Sequence, residues 1–121
     1  MMYGQVRRND KILGFNKMTK KQNILLKEVK DNILSVEPSA EIILYGSRAR
    51  GDETNDSDWD ILVLASKKNE KNLFDSIFDL LYELELKYNA VISLIVKKRG
   101  EWNELKLSPF YKNVMKDGLK L

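Results

Sequence analysis

Two aspartates one residue apart, Asp58 and Asp60, follow a Gly46-Ser47 pair after ten intervening residues, all within LYGSRARGDETNDSDWDILVL, residues 44–64. Carboxylates held that close repel, and a divalent cation between them removes the repulsion. Mg²⁺ suits such a pair because it takes few protein carboxylates and completes its shell with water and substrate phosphates. Gly46 lets an anion approach the backbone, Ser47 adds a hydroxyl donor, and Arg48 and Arg50 offer planar guanidinium forks that match phosphate oxygens. The stretch therefore combines a phosphate grip with a metal grip.

The elements that must position these groups are short. Ile42 to Tyr45 is an apolar run that reads as a buried strand stopping at a glycine, and Ser47 to Arg50 can begin a helix whose free N–H groups face an anion. Residues 51–57 are rich in Gly, Asp, Asn, Ser and Thr and read as a polar turn into a second strand, Trp59 to Ala65. Alternation along that strand sends Asp58 and Asp60 to one face and Trp59 and Ile61 to the other. An ordinary acidic loop fits poorly. Asp60 is followed at once by Ile61, Leu62, Val63 and Leu64, so it sits in a buried strand, where an unpaired carboxylate is expensive.

Gly-Ser, ten residues, then Asp-x-Asp resembles the polymerase-beta-like nucleotidyltransferases, and the short chain resembles the minimal nucleotidyltransferases of HEPN/MNT toxin–antitoxin pairs. The likeness is strongest over residues 44–64 and extends loosely from Thr19 to the C-terminus. It implies an α/β (α+β) nucleotidyltransferase fold, a small mixed β-sheet with helices packed against it. It also implies ATP as substrate, with phosphates bound at Gly46, Ser47, Arg48 and Arg50, and Mg²⁺ or Mn²⁺ on the catalytic carboxylates Asp58 and Asp60. The reaction implied is transfer of AMP to a hydroxyl on a partner protein of HEPN type, within a hetero-oligomer.

Members of that family take a third carboxylate from the strand corresponding to Ala90 through Val96, and here that strand carries no acid. Ser93 shares a face with Val91 and Ile95 and is the polar residue best placed to replace it, although a serine cannot supply the charge. Glu101 lies beyond the strand and reads as a surface glutamate. Two expectations follow from different classes. One is retained nucleotidyl transfer; the other is a catalytically impaired nucleotide-binding antitoxin that neutralises its partner by complex formation.

Composition narrows the remaining possibilities. A chain of 121 residues with 43% hydrophobic content fits one domain with a sizeable core. It has neither cysteine nor histidine, which removes disulfides, thiolate and imidazole metal ligands, and Ser-His or Cys-His catalysis. Any metal must be held by oxygen, which favours Mg²⁺ or Mn²⁺. No apolar run approaches the roughly eighteen residues of a membrane span, so a cytoplasmic protein is expected. The net charge of +3 is uneven: residues 1–21 carry six positive and one negative, 22–96 eight and fourteen, and 97–121 seven and three. Aromatic residues do not interleave with the scattered lysines, so direct nucleic-acid binding is not expected; the basic ends suit solvent or an acidic protein partner.

Elsewhere, Thr19 with Gln22 resembles a capping box, and Leu25, Val29, Ile33 and Val36 form a helical stripe ending before Pro38. A longer helix from Lys71 to Tyr88 carries Leu73, Ile77, Leu80 and Leu84, with Phe74, Phe78 and Leu81 broadening an apolar stripe read as core. Asn89 to Val96 reads as a third strand and 97–104 as a charged segment. Ser108 to Leu121 suits either a docking surface or a helix folded back on the core. Residues 1–18 read as an extension, disordered or partner-dependent, and 19–121 as the single domain.

Overall fold

The computed structural model describes residues 7–8, 18–66 and 70–121, with side chains described from Met18 onward except at 67–70. Helix α1 (Lys20–Val36) opens on the expected capping box: Thr19 Oγ1 accepts from the Gln22 N–H at 3.1 Å, and Gln22 Oε1 accepts from the Thr19 N–H at 2.9 Å. The chain then runs through β2 (Glu41–Tyr45), α2 (Ser47–Arg50), β3 (Trp59–Ala65), α3 (Glu70–Tyr88) and β4 (Ile92–Lys98). It closes with α4 (Arg99–Glu104), α5 (Pro109–Asp117) and β5 (Leu119–Lys120), while Arg7–Arg8 forms a short first strand, β1. Apart from Arg7, Arg8 and Met18, the expected extension lies outside the described residues.

The sheet order is β1-β5-β2-β3-β4, with β2 antiparallel to β3 and β5, β3 parallel to β4, and β1 parallel to β5. This is the mixed sheet that the sequence suggests. Alternation along β3 splits the core into two layers. Trp59, Ile61 and Val63 pack with Leu25, Val29 and Ile33 of α1 and Ile77, Leu81 and Leu84 of α3. Leu62 and Leu64 pack on the opposite face with Ile43, Trp102 of α4 and Val114 of α5. The carboxylate of Glu28 ties α1 to α3, receiving Lys87 Nζ at 3.1 Å and the Tyr88 hydroxyl.

Two expectations change in detail and two open ones are filled in. The third strand begins at Ile92 rather than Asn89, because Asn89 takes a left-handed conformation, φ 51°, that ends α3. The charged stretch 97–104 divides in two: β4 runs to Lys98, and α4 follows because Trp102 is fully buried against Phe110 and Tyr111. The C-terminal segment folds back as α5, capped by Ser108, and then adds β5 to the sheet. Phe78 is not core; it stands 45% exposed on the outer side of α3, stacked between Phe74 and Tyr82.

Candidate active site

Gly46 joins β2 to α2 with φ 78° and ψ −160°, a conformation essentially reserved for glycine. Its neighbour explains a second need for glycine. A Cβ at this position would overlap Asp60 Oδ2 and stand 3.2 Å from Asp60 Cγ, so the turn and the carboxylate are built against each other. The register that places them there is the β2–β3 ladder, in which Tyr45 pairs with Asp60. Beyond the turn, the N–H groups of Ala49 and Arg50 both donate to the Gly46 carbonyl at 3.0 Å, leaving the first N–H groups of α2 outside the helical ladder. Ser47 is the first residue of that helix and is half-buried.

Asp58 lies exposed just before β3, and Asp60 is half-buried in its second position. Burial pushes the Asp60 carboxyl above its ordinary value, the charge of Asp58 adds to the rise, and Arg50 partly offsets it. The same environment reaches Tyr45, whose phenol is pushed up to about 12 by burial and by the nearby Asp60. Uncompensated carboxylate charge of this kind fits a divalent cation with oxygen ligands. Ser93, the polar residue expected nearest the pair, is the register partner of Asp60 in the β3–β4 ladder. Among the described residues, no group of three or more acids stands together, and Glu101 is exposed, its carboxylate accepting from the Lys98 N–H at 3.5 Å.

The two arginines separate. Arg50 is exposed at the end of α2, with Nε 3.1 Å from Asp52 Oδ2, near enough to Asp60 to influence its titration. Arg48, expected to grip phosphate, is turned the other way. Its Nε donates to the Ser57 carbonyl at 3.0 Å, Nη2 donates to the Thr54 and Asn55 carbonyls at 3.3 and 3.4 Å, and the guanidinium lies 4.2 Å over the Trp59 ring. A buried cation is costly unless its donors find acceptors, and carbonyls of the 52–58 turn take the Nε and Nη2 donors of Arg48. Arg48 is therefore a brace for the turn that carries Asp58.

Comparison with known families settles the kinship. The nucleotidyltransferase domain model matches residues 23–121. This chain belongs to the nucleotidyltransferase family. A relative in Methanocaldococcus jannaschii, "Putative protein adenylyltransferase MJ0604", is 41% identical over 78 residues, covering 64% of this chain and 73% of the relative. Among solved structures, a toxin–antitoxin structure with AMP-PNP is similar to this nucleotidyltransferase with TM-score 0.52 and 22% identity, over 82% of this chain and 70% of that one. A mutant of the toxin–antitoxin MntA–HpeT gives TM-score 0.51 and 22% identity over the same shares. These last two likenesses concern the fold.

Two residues of this nucleotidyltransferase escape a reading by motif. Tyr45 precedes the Gly-Ser pair and becomes part of the site only through its cross-strand pairing with Asp60. Arg48 carries the residue type of a phosphate ligand, yet its direction is decided by carbonyls six to nine residues ahead. A separate cleft of about 570 Å³, lined by Thr19, Gln22, Arg48, Ser57, Trp59 and Asn89 among others, opens on the Trp59 side of the hairpin, whereas Asp60 faces the other layer. No helix among the described residues is long and apolar enough to cross a membrane.

Proposed function

We propose that this nucleotidyltransferase moves AMP from ATP to a hydroxyl of a partner protein, as the antitoxin of a HEPN/MNT pair in the cytoplasm. The observation that carries the reading is the contact of Gly46 with Asp60, which makes the phosphate turn and the metal carboxylate one construction. The relative's adenylyltransferase name supports protein adenylylation, and the toxin–antitoxin and AMP-PNP wording of the similar structures supports ATP and a protein partner.

Asp58 and Asp60 would hold Mg²⁺, or Mn²⁺ in its place. When bound, that ion supplies neutralisation of the charge that develops on the phosphates. The chain's own residues do the positioning: the first N–H groups of α2 and the Ser47 hydroxyl face the phosphates, Arg50 adds positive charge from the rim, and Arg48 keeps the Asp58 turn in place. The acceptor oxygen forms a bond to the α-phosphorus as the bond from that phosphorus to the bridging oxygen breaks. Pyrophosphate leaves, and the hydroxyl proton passes to water. The strand beside Asp60 carries Ser93 and no acid, which supports a second reading in which nucleotide is bound and the partner is neutralised by complex formation alone.

The two readings separate in one assay. Incubation with isotopically labelled ATP, Mg²⁺ and a HEPN-type partner protein is expected to add the mass of one adenylyl group to that partner. Neutralisation of the partner without this mass gain would leave only the binding reading.

A further inference from the structure

The cleft on the Trp59 side of the hairpin, about 570 Å³, is walled by two side chains that the fold buries without using all their donors. Arg48 is 9% exposed and spends Nε and Nη2 on the carbonyls of Ser57, Thr54 and Asn55, which leaves Nη1 with no acceptor among the described residues. Trp59 is 4% exposed, and its Nε1–H has no acceptor among them either, although the Arg48 guanidinium lies 4.2 Å over its ring. Neither donor is sealed in. The side-chain nitrogen shut away from any partner among the described residues is Trp102 Nε1, in the opposite layer, so the free N–H groups of Arg48 and Trp59 open to the cleft that both residues line. A donor on a nearly buried side chain is costly unless something accepts from it.

The start of α1 forms another wall. Thr19 and Gln22 line the cleft and satisfy each other in the capping box. The N–H groups of Lys20 and Lys21 stand outside that box, and the first turn carries no acid to offset the positive end of the helix dipole. Lys21 adds an ammonium to the lining, and Asp56 and Asn89 add a carboxylate and an amide.

These donors discriminate between anions. A carboxylate pairs best with arginine through two parallel bonds from two nitrogens, and any two of the three nitrogens include Nε or Nη2, both already engaged. A phosphate accepts single bonds from several directions, and Arg48 Nη1, Trp59 Nε1, the Lys21 ammonium and the first N–H groups of α1 supply them. The cleft is larger than a phosphate alone requires, and the Asp56 carboxylate and Asn89 amide suit hydroxyl groups of a larger ligand.

We propose that this cleft binds the phosphate monoester of a small polyhydroxylated molecule, the chemistry of ribose 5-phosphate. The phosphate lies against Arg48, Trp59 and the start of α1, and the hydroxyls meet Asp56 and Asn89. The site is on the other side of the hairpin from Asp60 and does not depend on transfer of AMP.

Titration of the full chain with ribose 5-phosphate in chelator, followed by nuclear magnetic resonance, tests it. The chain has two tryptophans, so the indole N–H signals report the place. The expected result is saturable, submillimolar binding that moves the Trp59 indole N–H downfield and leaves the Trp102 indole and the Ser47 amide where they are. Ribose alone does not move the Trp59 signal, and inorganic phosphate binds more weakly than ribose 5-phosphate. Lys21→Glu, which keeps the fold because an acid suits the first turn of a helix, weakens binding about tenfold. A Trp59 indole that stays unmoved at millimolar ligand would overturn the proposal. So would movement centred on Ser47, binding of ribose or inorganic phosphate as tight as that of ribose 5-phosphate, or undiminished binding by a folded Lys21→Glu variant. Should that variant misfold, the place of the shifts in the parent protein decides alone.

Discussion

Asp60 occupies a position where carboxylate charge is costly: half-buried in a strand, beside Asp58, with Gly46 pressed against its oxygen. Its carboxyl consequently keeps its proton to higher pH in the folded protein than the ordinary value of 3.8. Because the folded state then binds more protons than the unfolded state, stability falls as pH rises from that ordinary value through the raised one, and the full deficit persists above it. Asp60→Asn removes the charge. In metal-free buffer the variant is expected to melt at higher temperature than the parent near neutral pH, with the difference vanishing in acid below the ordinary carboxylate value. Thermal denaturation in chelator at several pH values checks this; a difference that does not change with pH would contradict it. The strain is of the kind that a bound cation relieves, which links a local cost to function.

At the scale of elements, the α2–β3 hairpin has two arginines with opposite duties. Arg48 satisfies the carbonyls of Thr54, Asn55 and Ser57 from a buried position over Trp59, so Arg48→Ala leaves those acceptors unmatched and loosens the turn. The expected cost is about 2–3 kcal/mol, read from urea denaturation. Arg50 is exposed, and Arg50→Ala is expected to leave stability essentially unchanged while weakening Mg-ATP binding about tenfold. Equal stability losses for both variants would contradict this division. The sequence announces the hairpin's elements well, because the apolar run into Gly46 and the alternation from Trp59 to Ala65 are local signals. It does not announce which way Arg48 turns, because that depends on a polar turn whose carbonyl directions no residue pattern records.

Across the molecule, legibility follows the same division between local and distant causes. The capping box at Thr19, the stripe Leu25-Val29-Ile33 and strand β3 are set by neighbours in the chain and read directly. Helix α4 sits in a charged stretch and is held by a single buried Trp102, and β5 is two residues long and exists through pairing with β2. Neither has enough local pattern to be seen. The exposure of Phe78 is likewise invisible to periodicity, since a residue at the margin of an apolar stripe is buried or bare according to what packs beside it.

The fold brings the Gly46-Ser47 turn and the Asp58–Asp60 pair from adjacent strands into one place, and that union is what a nucleotide site requires. Isothermal titration of ATP into the parent, Asp58→Ala and Asp60→Ala proteins, with Mg²⁺ and with chelator, measures it most directly. The parent is expected to bind ATP only with the cation present, and each variant to lose that binding while retaining its fold. If both folded variants bind Mg-ATP as the parent does, the hairpin is not the site.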